Sequence, residues 1–303
     1  MDVLIRLLAL LVVLLVGTGL RVSGILNAGR TARLNAVAYY VALPALIFVA
    51  TYDQAIGELL SAALVGGLLV VLFATAGVAW FVHRLQGSSA DRQSVAIVQS
   101  YHSNLGYLGL PLVAATFGGQ VTAIASVILG IVSLVQVPLT ILVLSTFNGA
   151  DGNPLDELRG LARNPILLSL VVGLAVGSSG LAVPGSVAVG LDAVGALALP
   201  LALLCVGASL QVDLPSVDVG ATGSVVALKI ALMPILAWLV FSALAVDAAT
   251  FVASVVMLAT PTAVSTYVFA AELEGDVQFA SLNVFATTLG SIVTLFVLIT
   301  LLT

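Results

Sequence analysis

Long apolar runs recur along the whole chain and limit its fold more than any other feature. Of the 303 residues, 61% are hydrophobic and only 8% are charged, which is too little polar surface for a water-soluble globule. Strands of a membrane barrel would be shorter and alternating in polarity, so runs of about 20 residues predict membrane-spanning α-helices. We therefore predict an all-α membrane protein with ten transmembrane helices. The ten runs cover residues 3–20, 34–52, 59–83, 93–117, 121–146, 164–181, 187–209, 219–245, 248–272 and 277–302.

Prolines recur at matching places in the first and second five runs. Pro44 is central in the second run and Pro200 is central in the seventh. Pro111 in the fourth run likewise corresponds to Pro261 in the ninth. The match indicates an internal repeat, although independent kinks would also explain it, because proline is common in transmembrane helices.

The longest polar interruption separates the fifth run from the sixth. We interpret residues 1–147 and 164–303 as two five-helix repeats joined by a connecting loop at 148–163. Since each repeat has an odd number of helices, the second would be inverted relative to the first. Inverted repeats of this kind are common among secondary transporters.

Arginines are concentrated in the connections that follow the first, third and fifth runs. The opposite connections contain Asp53, Glu58, Asp192 and Asp247 instead. By the positive-inside rule, the arginine-bearing connections are cytoplasmic and both termini are extracellular. We therefore predict a multi-pass protein of the cytoplasmic membrane. The arginines are Arg21, Arg30, Arg33, Arg84, Arg92, Arg159 and Arg163.

The fourth run is interrupted near its middle by SYHSNLGYLGLPLVAATFGG at 100–119. Counted from the cytoplasmic end, Asn104 lies roughly 16 Å into the membrane at 1.5 Å per residue, near the midplane. Gly106 and Gly109 weaken the helix, and Pro111 suits the first position of a new helix. These residues predict a helix broken at mid-membrane, whereas a proline kink in a continuous helix is the alternative.

The ninth run carries the corresponding sequence LATPTAVSTY. Here Thr260 is expected to cap a new helix and Pro261 to begin it. If the two breaks lie side by side, two helix N-termini direct their amides at one place, which favours an anion. Asn104, Thr260 and Thr262 would add uncharged polar groups. We predict a substrate site formed by Asn104, Gly106, Gly109, Pro111, Thr260, Pro261 and Thr262.

Three further polar residues lie near the predicted break. Gln136, in the fifth run, is expected to contact substrate or to hydrogen-bond another helix. Tyr101 and His102 are expected to line the inner vestibule. His102 could couple transport to protons or be a neutral packing residue.

The eighth and tenth runs each contribute another candidate. Lys229 is the only lysine, and its side chain would reach the interface or a carboxylate such as Asp218, or else face the inner cavity. Asn283 is a second vestibule candidate in the tenth run. Cys205, the only cysteine, is expected to pack in the core.

The segment SNLGYLGLP at 103–111 resembles the signature N-x-G-x-x-G-x-P of the auxin efflux carrier family. LPALIF in the second run, LKIALMP in the eighth and ATP followed by TYVFAAE in the ninth are similar to the same family, so the resemblance extends over the whole chain. It implies ten helices with crossing, broken fourth and ninth helices, as in bile acid sodium symporters and sodium/proton antiporters.

The resemblance also implies a mechanism. Helices one, two, six and seven would form a scaffold through which two copies form a homodimer, and the remaining helices would move as an elevator. The family's substrates are small organic anions such as auxin, malate or malonate. Gln136 resembles in position a substrate-contacting glutamine of the plant carriers.

Other functions are less consistent with the sequence. A non-transporting ligand sensor would usually carry a soluble signalling domain, and a sodium-coupled carrier would be expected to place a carboxylate at the midplane. No enzyme motif and no metal-ligand spacing is present, so we expect neither enzymatic activity nor a cofactor. The net charge of −5 argues against a nucleic-acid partner.

Overall fold

The computed structural model describes residues 2–209 and 219–303, and this part of the chain is helical, as predicted. Each of the ten predicted runs contains helix. The helices are α1 (Asp2–Val22), α2 (Ala28–Val37), α3 (Leu43–Thr51), α4 (Ile56–Leu59), α5 (Ala62–Gln86), α6 (Ala90–Tyr101), α7 (Leu110–Thr116), α8 (Gly119–Asn148), α9 (Pro154–Leu161), α10 (Pro165–Ser179), α11 (Gly185–Gly195), α12 (Ala198–Ser209), α13 (Val219–Ala227), α14 (Met233–Ala243), α15 (Ala248–Leu258), α16 (Ser265–Glu272) and α17 (Val277–Leu302).

Six helical stretches within the described residues are long and apolar enough to cross a membrane. A seventh results if α9 and α10, which meet at a bend of 52°, count as one span. Shorter apolar helices occur at Val12–Val22, Leu105–Thr116 and Ala248–Leu258. The protein is therefore a multi-pass membrane protein. The six stretches are Ala28–Thr51, Ala62–Gln86, Gly119–Asn148, Gly185–Ala208, Gly220–Ala243 and Val277–Leu302.

Three prolines follow a π-helical turn instead of breaking their helices. The turns at Ala38–Ala42, Leu105–Gly109 and Leu228–Leu232 precede Pro44, Pro111 and Pro234. Proline lacks an N–H and its ring clashes with the carbonyl four residues earlier. Each π turn inserts one residue, and the residue before the proline then donates to the carbonyl five residues back. The helices consequently continue through these prolines.

The helices pack as two groups. In the first group, α1 packs against α12, and α3 packs against α10 and α11. Thr18 Oγ1 donates to the Gly207 carbonyl (2.9 Å), and a Cβ at Gly207 would collide with the α1 backbone, so α1 and α12 are in close contact. In the second group, α5 and α8 both pack against α6, α14 packs against α5, and α15 packs against α8 and α14.

A polar cluster joins the ends of the second group on the side of the arginine-bearing connections. Arg92 Nη2 and Asp276 Oδ2 form an ion pair (2.9 Å) between the start of α6 and the start of α17. Asn148, at the end of α8, donates to the Leu273 carbonyl (2.7 Å) and accepts from Ser94 Oγ (3.1 Å). These contacts fix three helix ends relative to one another.

The connection at 148–163 contains a short helix, whereas the sequence analysis treats it as a loop. Asn153 caps α9 by accepting from the Leu155 amide (3.0 Å), and Pro154 occupies the first helical position, where its missing N–H is not needed.

Candidate functional site

The chain breaks in the fourth and ninth runs lie side by side, as predicted. α6 ends at Tyr101 and α15 ends at Leu258, and the backbone that follows each helix is extended. Ser103 and Thr262 form an isolated antiparallel bridge. The Asn104 amide donates to the Pro261 carbonyl (2.9 Å), and the Ala263 amide donates to the His102 carbonyl (3.0 Å). Two broken helices thus cross at this bridge, which we call the crossing (residues 102–104 and 259–264).

The predicted starts of the second half-helices are wrong. The helix resumes at Leu105, so Pro111 lies inside it rather than at its first position. In the ninth run it resumes at Ser265, and Pro261 lies in the extended segment. Pro261 suits that place because its carbonyl accepts from Asn104 while its position requires no N–H.

Thr260 is not the cap of a new helix either. Its buried hydroxyl donates back to the Met257 carbonyl (2.8 Å), at the end of α15. Pro261 directly precedes the bridging Thr262, whereas Pro111 lies eight residues beyond the bridging Ser103, so the two prolines occupy different places relative to the bridge.

Both half-helices begin with backbone amides that have no hydrogen-bond acceptor in the described part of the chain. These are the N–H groups of Gly106 and Tyr107 in one half-helix, and of Val264 and Ser265 at the start of the other. All four residues border the same cavity. Unpaired N–H groups at a helix start form a ready site for an anion.

The cavity has a volume of about 810 Å³ and extends from the crossing to α2 and α9. Glu157 is the one Asp, Glu, Lys or Arg among its lining residues. The lining combines amides with aromatic and aliphatic side chains, which is typical of a site for a small organic molecule. It includes Asn35, Tyr39, Tyr40, His102, Ser103, Asn104, Gly106, Tyr107, Leu129, Ser133, Gln136, Ile166, Leu167, Cys205, Val206, Val264, Ser265 and Phe269.

Asn104 lies at the centre of this arrangement. The residue is 4% exposed, its side-chain amide forms no hydrogen bond with residues 2–209 or 219–303, and its polar atoms remain accessible from the cavity that it lines. An amide that is accessible from a cavity can donate to, and accept from, a molecule bound there. Because Asn104 lines the cavity, a ligand in the cavity can supply that partner.

Gln136 holds the middle of the crossing. Its Oε1 accepts from the Ser103 amide (3.1 Å), and its Nε2 donates to the Ser103 carbonyl (3.2 Å). Gln136 thus hydrogen-bonds another helix, and it also lines the cavity, whereas its contact with substrate stays a prediction.

His102 and Tyr101 share one partner on α8. His102 Nδ1 lies 2.8 Å from Thr140 Oγ1, and the Tyr101 hydroxyl lies 3.1 Å from the same atom. His102 lines the cavity, in agreement with a vestibule position, but Tyr101 is completely buried and does not.

Lys229 lies in the interior and does not extend to the interface. It is completely buried, and its Nζ donates to Ser103 Oγ (2.7 Å) and to the Leu258 carbonyl (3.2 Å). The side chain does not line the cavity. Asp218, its expected carboxylate neighbour, lies outside the described residues.

Several other predicted site residues support the crossing without lining the cavity. Gly109 allows close contact, because a Cβ there would lie 2.9 Å from Met257 Sδ and 3.1 Å from Thr260 Cγ2. Asn283 Nδ2 donates to Gln99 Oε1 (2.9 Å), so Asn283 connects α17 to α6. Thr260, Pro261 and Thr262 are buried at the crossing and Pro111 is buried in the half-helix beyond it, and none of the four is among the cavity-lining residues.

The sequence analysis missed most of the cavity wall. Tyr39, Tyr40 and Tyr107 line the cavity, and Cys205, which is buried as expected, also borders it. Tyr107 lies inside the SNLGYLGLP segment, which is the only sequence signal that could have identified it.

The chain matches a family model described as "Membrane transport protein" over residues 2–153 and 155–299, which are almost the whole chain. The chain belongs to this family. The family is that of the auxin efflux carriers, so the resemblance inferred from SNLGYLGLP is confirmed. In this member of the family, SNLGYLGLP forms one strand of the crossing and the first turns of its half-helix.

Two relatives cover most of the chain. An "Uncharacterized transporter" of Methanothermobacter thermautotrophicus is 25% identical over 291 residues, which are 95% of this chain and 94% of the relative. A "Putative malonate transporter" of Rhizobium meliloti is 26% identical over 270 residues, 86% of this chain and 83% of the relative. Both names are those of transporters, in agreement with the family.

Proposed function

We propose that this protein is a secondary transporter that moves a small organic anion across the cytoplasmic membrane by alternating access. The observation that carries the proposal is the set of unpaired donors at the crossing. Four backbone amides and the Asn104 side-chain amide border one cavity, and none of them has an acceptor in the described chain. A carboxylate, whose two oxygens accept about four hydrogen bonds, would satisfy several of these donors.

The electrostatics of the cavity favour an anion over a cation or a neutral solute. Each helix N-terminus carries about +0.5 elementary charge, so two of them at one place attract about one negative charge. Glu157, the lining carboxylate, belongs to α9 and not to the crossing.

The position of the cavity supports alternating access. On one side it is lined by α2, α10 and α12, which belong to the first packing group or adjoin it, and on the other by α8 and the crossing. A site between two packed groups can change its exposure when one group moves against the other. The first group corresponds to the scaffold expected from the resemblance and the second to the elevator, and we further propose that two copies form a homodimer through the scaffold.

Ten helices in two inverted repeats are consistent with the packing. The first helix of the first half, α1, packs against α12 of the second half. The first membrane helix of the second half, α10, packs against α3 of the first half, so the two contacts correspond. Each break is also held by a helix that follows it in its own half. Gln136 accepts from the Ser103 amide (3.1 Å), and Thr287 Oγ1 accepts from the Thr262 amide (3.4 Å).

The cavity extends toward the arginine-bearing side of the protein. Its lining includes residues of α2 and α9, next to Arg33 and Arg159. With those connections in the cytoplasm, this conformation is the inward-facing one.

A ligand screen tests the proposal directly. The purified protein should unfold at a higher temperature with a mono- or dicarboxylate, and the name of the R. meliloti relative makes malonate the first compound to test. At 100 times its dissociation constant, a ligand stabilises by about 2.7 kcal/mol. The corresponding amides, such as malonamide, are matched controls and should have no effect.

Uptake into vesicles separates transport from sensing. Proteoliposomes with the protein should accumulate the carboxylate found in the screen, with radiolabelled substrate as the readout. Stabilisation by the amides as strongly as by the acids would contradict an anion site. Binding without uptake would contradict transport and would identify a sensor.

A further inference from the structure

Four helix ends meet at the crossing, and their charges oppose one another. The half-helices that start at Leu105 and Ser265 contribute N-termini, while α6 and α15 contribute C-termini at Tyr101 and Leu258. Each N-terminus carries about +0.5 charge and each C-terminus about −0.5. The four ends together would therefore cancel, and an anion would gain little from the two N-termini.

Lys229 lies on the C-terminal side of this crossing. Its Nζ donates to the carbonyl of Leu258, the last residue of α15, and to the hydroxyl of the bridging Ser103. The third contact of Nζ is with Met233 Sδ (3.0 Å). These three contacts match the three N–H donors of an ammonium group, and Lys229 forms no ion pair with a carboxylate of residues 2–209 or 219–303.

A buried ammonium needs a compensating field. The C-terminus of α15 contributes to it through the Leu258 carbonyl, and α6 ends two residues before Ser103, whose hydroxyl accepts from Nζ. Cations are stabilised near helix C-termini for this reason. Ser103 joins Lys229 to the cavity, because Ser103 and the adjacent Asn104 both line it while Lys229 does not.

We propose that Lys229 is an internal counter-charge for the two helix C-termini, so that the positive field of the two N-termini remains uncancelled in the cavity. Lys229 then acts on the anion as a positioning residue, through the field and through Ser103, without touching it. This inference rests on the proposed anion site, but it predicts a positive potential that can be measured without any substrate.

Charged thiol reagents measure that potential. Ser265 is exposed and lines the cavity at the start of one half-helix, and serine-to-cysteine exchange changes little in shape. In a Cys205→Ala, Ser265→Cys protein, the rates of reaction with an anionic and a cationic methanethiosulfonate are compared. The ratio of the two rates reports the local potential, because both reagents react with the same thiolate. Free 2-mercaptoethanol gives the ratio in the absence of a field.

We expect the anionic reagent to be favoured in the protein by at least about fivefold over 2-mercaptoethanol at low salt. Adding Lys229→Gln, which keeps a hydrogen-bonding head without the charge, should bring the ratio back to within about twofold of that reference. Lys229→Arg should retain most of the preference. Thermal unfolding of each variant shows that the comparison is made on folded protein.

Two results would overturn the inference. One is that the ratio of the anionic to the cationic reaction rate in the protein that retains Lys229 equals the ratio for 2-mercaptoethanol. This measurement needs no lysine variant to fold. The other is an anionic preference that persists in folded Lys229→Gln. If the preference depends on Lys229 but no carboxylate binds or is transported, the proposed function fails while the counter-charge stands.

Discussion

Gln136 pairs with both backbone groups of Ser103, accepting from its N–H at 3.1 Å and donating to its C=O at 3.2 Å. Ser103 is the residue at which the two broken helices cross, and it is almost completely buried. The side chain of Gln136 thus replaces the backbone partners that Ser103 would have in an intact helix.

Gln136→Leu should therefore leave two buried backbone groups without partners. Each unsatisfied group costs about 1–3 kcal/mol, so the variant should unfold at a lower temperature and bind its carboxylate more weakly. Gln136→Glu retains the acceptor for the Ser103 amide but loses the donor. Its unfolding temperature should therefore lie between those of the wild type and Gln136→Leu. Equal stability of all three proteins would show that Gln136 does not hold the crossing.

Gly109 should tolerate no larger side chain. A Cβ there would lie 2.9 Å from Met257 Sδ, closer than real Cβ contacts, so Gly109→Ala should cost about 1–3 kcal/mol of stability. Gly106→Ala is the matched control for folding, because its Cβ would meet nothing closer than Leu129 Cδ1 at 3.6 Å. Met257→Ala should rescue Gly109→Ala in thermal unfolding, and a lack of rescue would contradict this contact.

Pro261→Ala and Pro111→Ala should differ in their effects on transport. Alanine at 261 adds a buried N–H within the extended segment and frees its φ angle, so transport should fall strongly at near-normal expression. Pro111→Ala only makes the preceding π turn unnecessary, so transport should change less. Pro44→Ala is the control, because Pro44 also follows a π turn. If Pro111→Ala impairs transport more than Pro261→Ala, the role assigned to Pro261 is wrong.

The sequence predicts where the helices break but not how they resume. Gly106, Gly109 and Pro111 identify the break in the fourth run, and Pro261 next to threonines identifies the break in the ninth. Proline alone is not sufficient, because the helices continue past Pro44 and Pro234. The restart positions were mispredicted because a π turn accommodates Pro111, and no local signal distinguishes that turn from a new helix start.

The surroundings of Lys229 and the cavity wall also depend on tertiary structure. The eighth run is apolar on every side, so periodicity does not show which face of the helix carries Lys229 inward. Tyr39 and Tyr40 belong to a helix remote in sequence from the crossing, and only the packing of the first group of helices brings them to the cavity.

The inverted repeat predicts that the connection at 148–163 and the C-terminus lie on opposite sides of the membrane. Asp151 and Thr303 are exposed, and each can be replaced by cysteine in a Cys205→Ala background. An impermeant thiol reagent added outside intact cells should label Thr303→Cys and leave Asp151→Cys unlabelled until the cells are opened. Labelling of both from the same side would contradict the inverted topology.

The affinity of Asn104→Ala for the carboxylate tests the central claim most directly. Asn104 lines the cavity and its side-chain amide forms no hydrogen bond within the described residues, so its removal should weaken binding by about 1–3 kcal/mol, or about 5- to 150-fold, with little change in unfolding temperature. Ser254→Ala is the matched control, because Ser254 is also buried and unpaired but does not line the cavity. Isothermal titration calorimetry on the wild type and both variants should show weaker binding for Asn104→Ala alone. If a folded Asn104→Ala binds the carboxylate as tightly as the wild type, the crossing is not the substrate site.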